Sequence, residues 1–349
     1  MEEINFIPGP ATLSADSLAK ASALPVPHRS AEFKAALNSV SCRLCALTNA
    51  NNCVLMAGSG TLANDIVGAQ LSLLEGKGLI LSNGEFGERL TEQAARFGLN
   101  FTHLKYDWGQ PFNYAEILLE LTMHKIEWLW FAHCETSTGV LNDLGMLGGF
   151  CKEHGVKLCV DAISSIGNAY TDFKDVYLAT ATSGKGLCAL PGIAMVFSSY
   201  KAQPCVKLPK YLDLGFYHTK DGLPFTLSSN LLYVLAEELE KENLPGNVSY
   251  KSYLAKIIDF MAQGQNFKIL APKEARADFV FTLVLPSNIN SLELGEKLAS
   301  HGILIHYKNP YLLQRNWVQV SLMGYTSEKD ICALARALEN FKQIKTPAL

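Results

Sequence analysis

Seven short apolar runs, at residues 53–57, 78–82, 101–105, 126–132, 156–160, 176–181 and 193–198, follow one another along the chain. Each has the length of a strand, and between several of them lie segments with apolar residues at helical spacing, at 61–74, 86–97 and 144–154. Strands that alternate with helices form βαβ units, because a strand that returns parallel to its neighbour needs a crossover long enough to hold a helix. The pattern predicts an α/β protein with a mainly parallel sheet.

The alternation stops near Pro204, where Pro204, Pro209, Gly215, Gly222 and Pro224 interrupt any regular element. This stretch reads as a connection. Beyond it, 228–241 reads as a helix, 278–285, 303–307 and 318–322 read as strands, and 291–301 and 327–341 read as interleaved helices. That is a second, smaller α/β unit. Pro8, Pro10, Pro25 and Pro27 suit an extended arm at the start rather than a helix. The expected division is an N-terminal arm over residues 1–30, a large domain over 31–240 and a small C-terminal domain over 241–349, packed around a shared cleft. At 349 residues the chain is ample for two such cores.

Thirty basic and 33 acidic side chains leave a net charge of −3, with no block of Lys or Arg to neutralise a nucleic-acid backbone. No nucleic-acid partner is expected. The longest apolar runs fall far short of the roughly 18–20 residues needed to cross a bilayer, so no membrane partner is expected either. The acidic start Met1-Glu2-Glu3 lacks the pattern of a signal peptide, and the nine cysteines sit in apolar contexts that suit reduced thiols. A cytoplasmic location is the expectation.

In open α/β sheets ligands bind beyond the carboxyl ends of the strands, which makes the residues after each run the candidate site. After 53–57 comes Gly58-Ser59-Gly60-Thr61, a Gly-rich turn opening a helix and suited to an anion such as a phosphate. After 78–82 comes Asn83-Gly84-Glu85-Phe86-Gly87-Glu88-Arg89, which sets an aromatic ring at the same edge. The hydroxyl cluster Glu135-Thr136-Ser137-Thr138-Gly139 follows 126–132. Asp161 follows 156–160, and Lys185 lies between two glycines after 176–181.

Gly58 to Ala63 also satisfies the dinucleotide fingerprint G-x-G-x-x-G/A, the mark of a nicotinamide oxidoreductase. The next strand, however, ends in Ser82-Asn83-Gly84 without the acidic residue that holds a ribose. Metal chemistry is poorly served, since Cys42 and Cys45 have no second pair at a zinc-like spacing, and no metal is expected. Pyridoxal 5'-phosphate, in contrast, needs every part present: a phosphate cradle, a stacking aromatic, hydroxyls, a carboxylate for its pyridine nitrogen and a lysine for its aldehyde.

These motifs, with Pro8-Gly9-Pro10 and the segment from His28 to Phe33, resemble the class V aminotransferases, a branch of the fold-type I pyridoxal-phosphate enzymes. That family includes alanine–glyoxylate, serine–pyruvate, 2-aminoethylphosphonate and phosphoserine aminotransferases. The resemblance implies a seven-stranded, mainly parallel sheet in a large domain plus a smaller C-terminal α/β domain. It implies catalytic roles for Lys185, through a Schiff base, and for Asp161. Ser59, Gly60 and Thr61 are then the phosphate ligands, Phe86 and Ile163 flank the ring, and Thr136 donates to the ring oxygen. It further implies a homodimer in which Tyr217 and Thr219 reach the partner's phosphate. The family's carboxylate-gripping Arg falls at Gln319, a departure after which the candidates for binding substrate are Gln319 itself, Arg315, and His28 and Arg29 from the partner, unless the substrate is not a simple α-amino acid.

The expected activity is transfer of an amino group between a small amino acid (alanine, serine or phosphoserine-like) and a 2-oxo acid by a ping-pong cycle. The alternatives are a lyase or desulfurase reaction with the same cofactor, a nicotinamide oxidoreductase and a catalytically idle binding protein.

Overall fold

A computed structural model describes residues 3–241 and 248–345. The chain opens with strand β1 (Ile4–Asn5) and helices α1 (Ala15–Ala21) and α2 (Ala31–Thr48). Then β2 (Asn52–Ala57), α3 (Gly60–Leu71), β3 (Lys77–Ser82), α4 (Glu85–Arg96), β4 (Phe101–Lys105), α5 (Tyr114–Met123) and β5 (Ile126–Ala132) alternate. A small hairpin of β6 (Cys134–Glu135) and β7 (Val140–Leu141) precedes α6 (Leu144–His154), β8 (Lys157–Asp161), β9 (Leu178–Thr182) and β10 (Ile193–Ser198). Helices α7 (Leu214–His218), α8 (Ser229–Glu240) and α9 (Val248–Gly264) lead to β11 (Lys268–Ile269), β12 (Val280–Val284), α10 (Ser291–Ala299), β13 (Ile303–Leu304), α11 (Pro310–Arg315), β14 (Trp317–Ser321) and α12 (Glu328–Lys345).

All seven apolar runs become strands of one seven-stranded sheet in the order β2-β10-β9-β8-β5-β3-β4. Only β10 runs antiparallel to its neighbours; the other pairings are parallel. The period of two is visible in β5, whose Leu129 and Phe131 join the core on one face while Trp128 and Trp130 join that on the other. Helices α2, α5 and α6 cover the first face and α3 and α4 the second, so both faces are buried over the central strands, and only the edge strand β4 (Phe101–Lys105) is half-buried. Since β2, β3, β5, β8 and β9 run the same way, their carboxyl ends share one edge of the sheet.

The C-terminal part carries an antiparallel sheet, β11-β12-β14, with α9, α10 and α12 on its own core. Phe6 is buried in that core as well, because β1 pairs in parallel with β13. The arm therefore passes from one core to the other, and Ala11 donates its N–H to the carbonyl of Gly184 on the way (3.2 Å).

Two expectations need correction. The arm is not wholly extended: Ser14 caps the Ser17 N–H at 3.2 Å and starts α1, since the prolines bracket residues 11–24 without entering them. The connection after Pro204 likewise holds a short helix, α7, capped by Asp213 on the Phe216 N–H at 3.2 Å. Among the described residues no helix is long and apolar enough to cross a membrane.

Candidate active site

A cavity of about 700 Å³ lies over the shared strand edge. It is lined by Ser59, Gly60, Thr61, Phe86, Thr136, Asp161, Ile163 and Lys185, every cofactor residue expected from a single chain. Pro8, Gly9 and Pro10 close it from the arm, and His306 and Tyr311 border it from the C-terminal part.

Asp161, at the end of β8, is buried and its carboxylate is held from two sides. One oxygen accepts the Ile163 N–H at 3.0 Å and the other accepts the Asn64 amide at 2.8 Å. Thr180 on the neighbouring β9 donates to the Asn64 carbonyl at 2.7 Å, which turns the amide NH₂ toward Asp161. Burial raises the Asp161 pKa, opposed by those two hydrogen bonds and the Lys185 charge. A carboxylate in that state favours a cationic partner.

Lys185 sits in the loop after β9, where its amine donates to the Ser164 hydroxyl at 2.9 Å and lies 5.2 Å from the centre of the Phe86 ring. Burial lowers its pKa, against the pull of Asp161, Cys134 and Glu135. Desolvation shifts the amine toward its nucleophilic form. The Ser164 and Thr136 hydroxyls are bonded to each other, so the amine, Ser164 and Thr136 form one chain.

Phe86 belongs to the first turn of α4, and Glu135 fixes that turn. The buried Glu135 carboxylate accepts the N–H groups of Phe86 (3.2 Å), Gly87 (2.8 Å) and Ser137 (3.1 Å), and the Ser137 hydroxyl at 2.5 Å. Negative charge at a helix N-terminus also meets the helix dipole favourably. Gly84 is required beside it, because a Cβ there would lie 2.5 Å from Glu135 Cγ and Ser137 Oγ.

At the start of α3, the N-cap Ser59 makes no side-chain capping hydrogen bond, which leaves the hydroxyl and the positive helix end facing the cavity. Ile163 packs so closely over Gly60 that a Cβ there would meet its Cδ1 at 2.5 Å. The residues thus fit a flat anionic ring compound: an anion seat at α3, Phe86 and Ile163 for ring faces, a carboxylate in the depth and an amine beside it.

The remaining expected residues lie elsewhere. Arg29 and Thr219 border a different cavity of about 950 Å³, together with Lys34, Lys201 and Lys220. His28, beside Arg29, is half-buried outside the first cavity. Tyr217 is turned inward, packed edge-on against Phe225 at 5.7 Å in its own chain's core, and its buried hydroxyl finds no partner among the described residues.

Arg315 stacks on Trp108 with 3.9 Å to the ring centre and does not line the first cavity. Gln319 is fully buried behind the wall, its amide donating to the Thr136 carbonyl (2.6 Å) and the Thr282 hydroxyl (2.8 Å) and accepting from Tyr311 (3.2 Å). With its donors taken by its own chain, Gln319 does not bind substrate in this arrangement.

Sequence reasoning missed Asn64, Thr180, Ser164 and the holding role of Glu135. The available signal was modest: Asn64 is a polar residue on the inward face of α3, a position it shares with Gln70.

The model of the family described as Aminotransferase class-V matches residues 14–220. A protein named soluble hydrogenase 42 kDa subunit, from Anabaena cylindrica, is 31% identical over 96% of this chain and 91% of its own length. A 2-aminoethylphosphonate–pyruvate transaminase of Pseudomonas putida is 28% identical over 74% of each chain. The crystal structure of an alanine–glyoxylate aminotransferase from Nostoc sp. superposes with a TM-score of 0.87 at 26% identity, covering 97% of this chain and 95% of that one. The geometry around Asp161 and Lys185 and these likenesses lead to one assignment: the chain belongs to the class-V aminotransferases and is a transaminase of fold type I with pyridoxal phosphate as its cofactor.

Proposed function

We propose that the protein moves an amino group between a small amino acid, alanine, serine or phosphoserine-like, and a 2-oxo acid in two half-reactions at Lys185. The observation that carries this reading is the buried amine of Lys185 beside Ser164, in the same cavity as a carboxylate held by Asn64. Bound there, pyridoxal phosphate supplies an aldehyde to carry the amino group and a ring that draws electrons from the substrate's Cα. The chain's residues do the rest. Asp161 keeps a proton on the pyridine nitrogen, Ser59 to Thr61 hold the phosphate, and Phe86 and Ile163 hold the ring plane. The Lys185 amine would serve as the base that takes the proton from the substrate Cα and hands it back. Ser164 keeps that amine within reach.

The basic rim of the second cavity supports a homodimer in which each copy lends Arg29 to its partner's site. The cysteines, free among the described residues, support a cytoplasmic location.

A half-reaction screen tests the proposal. Alanine, serine, phosphoserine, aspartate, glutamate and 2-aminoethylphosphonate are each mixed with the loaded protein, and the cofactor's visible band is followed. Alanine, serine or phosphoserine is expected to bleach the band, and a 2-oxo acid to restore it. Bleaching that no 2-oxo acid reverses, with release of an elimination product, would contradict transamination and favour the lyase reading.

A further inference from the structure

The Asp161 carboxylate is held by two side chains in series, and the direction of their hydrogen bonds follows from their chemistry. Asp161 and Thr180 are paired across the parallel strands β8 and β9, so their side chains leave the sheet on one face. It is the face that α3 covers, where Leu178, two residues before Thr180, joins the core that holds Ile66 and Val67 of that helix. Asn64, in the second turn of α3, therefore reaches both, donating to Asp161 at 2.8 Å and accepting from Thr180 at 2.7 Å. All three residues are buried; Asn64 and Asp161 line the cavity and Thr180 does not.

An ionised carboxylate carries lone pairs and no hydrogen, so the Asn64 amide must present its NH₂ to Asp161, which turns its carbonyl to Thr180. The Thr180 hydroxyl supplies the hydrogen, in its only side-chain hydrogen bond among the described residues. Each of the three groups then has its partner. Were a proton to settle on the Asp161 oxygen that faces Asn64, the amide would turn over and its NH₂ would meet the Thr180 oxygen. The Thr180 hydrogen would then be buried without an acceptor among the described residues, which is costly. The series is satisfied in one direction only, the one in which Asp161 is ionised. Resting on the transaminase reading of the cavity, we infer that Asn64 and Thr180 are positioning residues that decide where the proton shared by Asp161 and the cofactor's ring nitrogen sits: on the nitrogen, with the charge left on Asp161.

The other groups around Asp161 act in the same sense or are already engaged. The Lys185 charge, from the loop after β9, also favours the ionised acid, while burial opposes it. Cys134 feels the Asp161 charge, but burial pushes its thiol up and keeps it neutral. Asp65, next to Asn64 on α3, is bonded by Gln93 at 2.8 Å. The Ile163 N–H that holds the other Asp161 oxygen belongs to the backbone, so Asn64 is the side-chain hydrogen bond of this carboxylate that a substitution can remove. Helix α3 thus has two duties, the anion seat in its first turn and the setting of Asp161 in its second.

The test uses the full chain loaded with pyridoxal phosphate carrying an isotope-labelled ring nitrogen, whose magnetic-resonance shift separates the protonated from the neutral ring. The carboxyl-carbon shift of labelled Asp161 is read beside it. The unmodified protein is expected to show a protonated nitrogen and an ionised Asp161 at neutral pH. Asn64→Leu, similar in volume but without a donor, is expected to move the balance of the proton toward Asp161 by about tenfold, seen in both shifts. Thr180→Val is expected to move both the same way by a smaller amount, about threefold, and Thr180→Ser, which keeps the hydroxyl, to leave them in place. Because Thr180 acts through Asn64, Thr180→Val added to Asn64→Leu is expected to change neither shift further. Loss of packing alone would lower the thermal transition without moving the two signals together. The inference is overturned if Asn64→Leu leaves both shifts unmoved, if Thr180→Ser moves them as Thr180→Val does, or if Thr180→Val still moves them in the Asn64→Leu chain. A chain that takes up no cofactor overturns the transaminase reading instead. In that chain the titration of Asp161 itself, expected to rise in Asn64→Leu, still tests the hold on the carboxylate, and an unmoved titration overturns it.

Discussion

Asp161 and Lys185 are displaced from their ordinary proton affinities by the same burial, the acid upward and the amine downward. Neither shift is useful alone. Together they bias the cavity toward a cation at one end and a nucleophilic amine at the other, as a protonated pyridine ring with an aldehyde requires. The ring's floor depends on an absence: Gly60 has no Cβ, and Ile163 occupies the space one would take. Gly60→Ala forces Ile163 into the ring's place, an overpacking penalty of about 1–3 kcal/mol. The dissociation constant for pyridoxal phosphate, measured by equilibrium dialysis, is expected to rise about tenfold or more, with an unaltered thermal transition of the cofactor-free chain. Equal affinity in the variant would show that Ile163 does not contact the ring.

At the level of elements, all seven strands of the large sheet were legible because each pairs an apolar run with a turn, and burial on both faces strengthens the signal in all but the half-buried edge strand β4. Helix α2 was not singled out, although Phe33, Leu37, Val40 and Leu44 recur at helical spacing and pack on the sheet, because the exposed side between them carries small and polar residues such as Ser39, Cys42 and Arg43. The site was legible to the same extent as its strand ends. Its supports were not, since Asn64, Thr180 and Glu135 act through contacts between elements far apart in sequence. Another such contact joins α9 to the loop that follows Asp161. Lys251 donates to the Asn168 carbonyl, and Asn168 in turn donates to the Ser164 carbonyl at 2.9 Å. Burial lowers the Lys251 pKa from 10.5 to about 8, against a smaller upward pull from Cys188. The unfolded chain therefore binds the more protons between pH 8 and 10.5, and this group's contribution to stability rises with pH across that window. Urea unfolding is expected to show the unmodified protein gaining on Lys251→Met by about 1–3 kcal/mol between pH 7.5 and 10. A difference that stays constant would mean that Lys251 is not desolvated.

At the scale of the molecule, the cavity exists because two cores and the arm meet over one edge of a sheet. The strand ends supply the carboxylate, the lysine and the anion seat, the C-terminal part supplies His306 and Tyr311, and Pro8 to Pro10 close the remaining side. Glu238 joins the same three parts on the far side: Ser14 and Ser17 of the arm, Lys241 after α8 and Tyr325 of the C-terminal part all bond its carboxylate. Everything in this arrangement converges on one amine, and the most direct measurement is to find what that amine carries. The full chain, loaded with pyridoxal phosphate, is reduced with borohydride, digested and analysed by peptide mass. The account predicts the reduced cofactor fixed to Lys185, and no such adduct in Lys185→Ala. A cofactor fixed to another lysine, or to none, would contradict it.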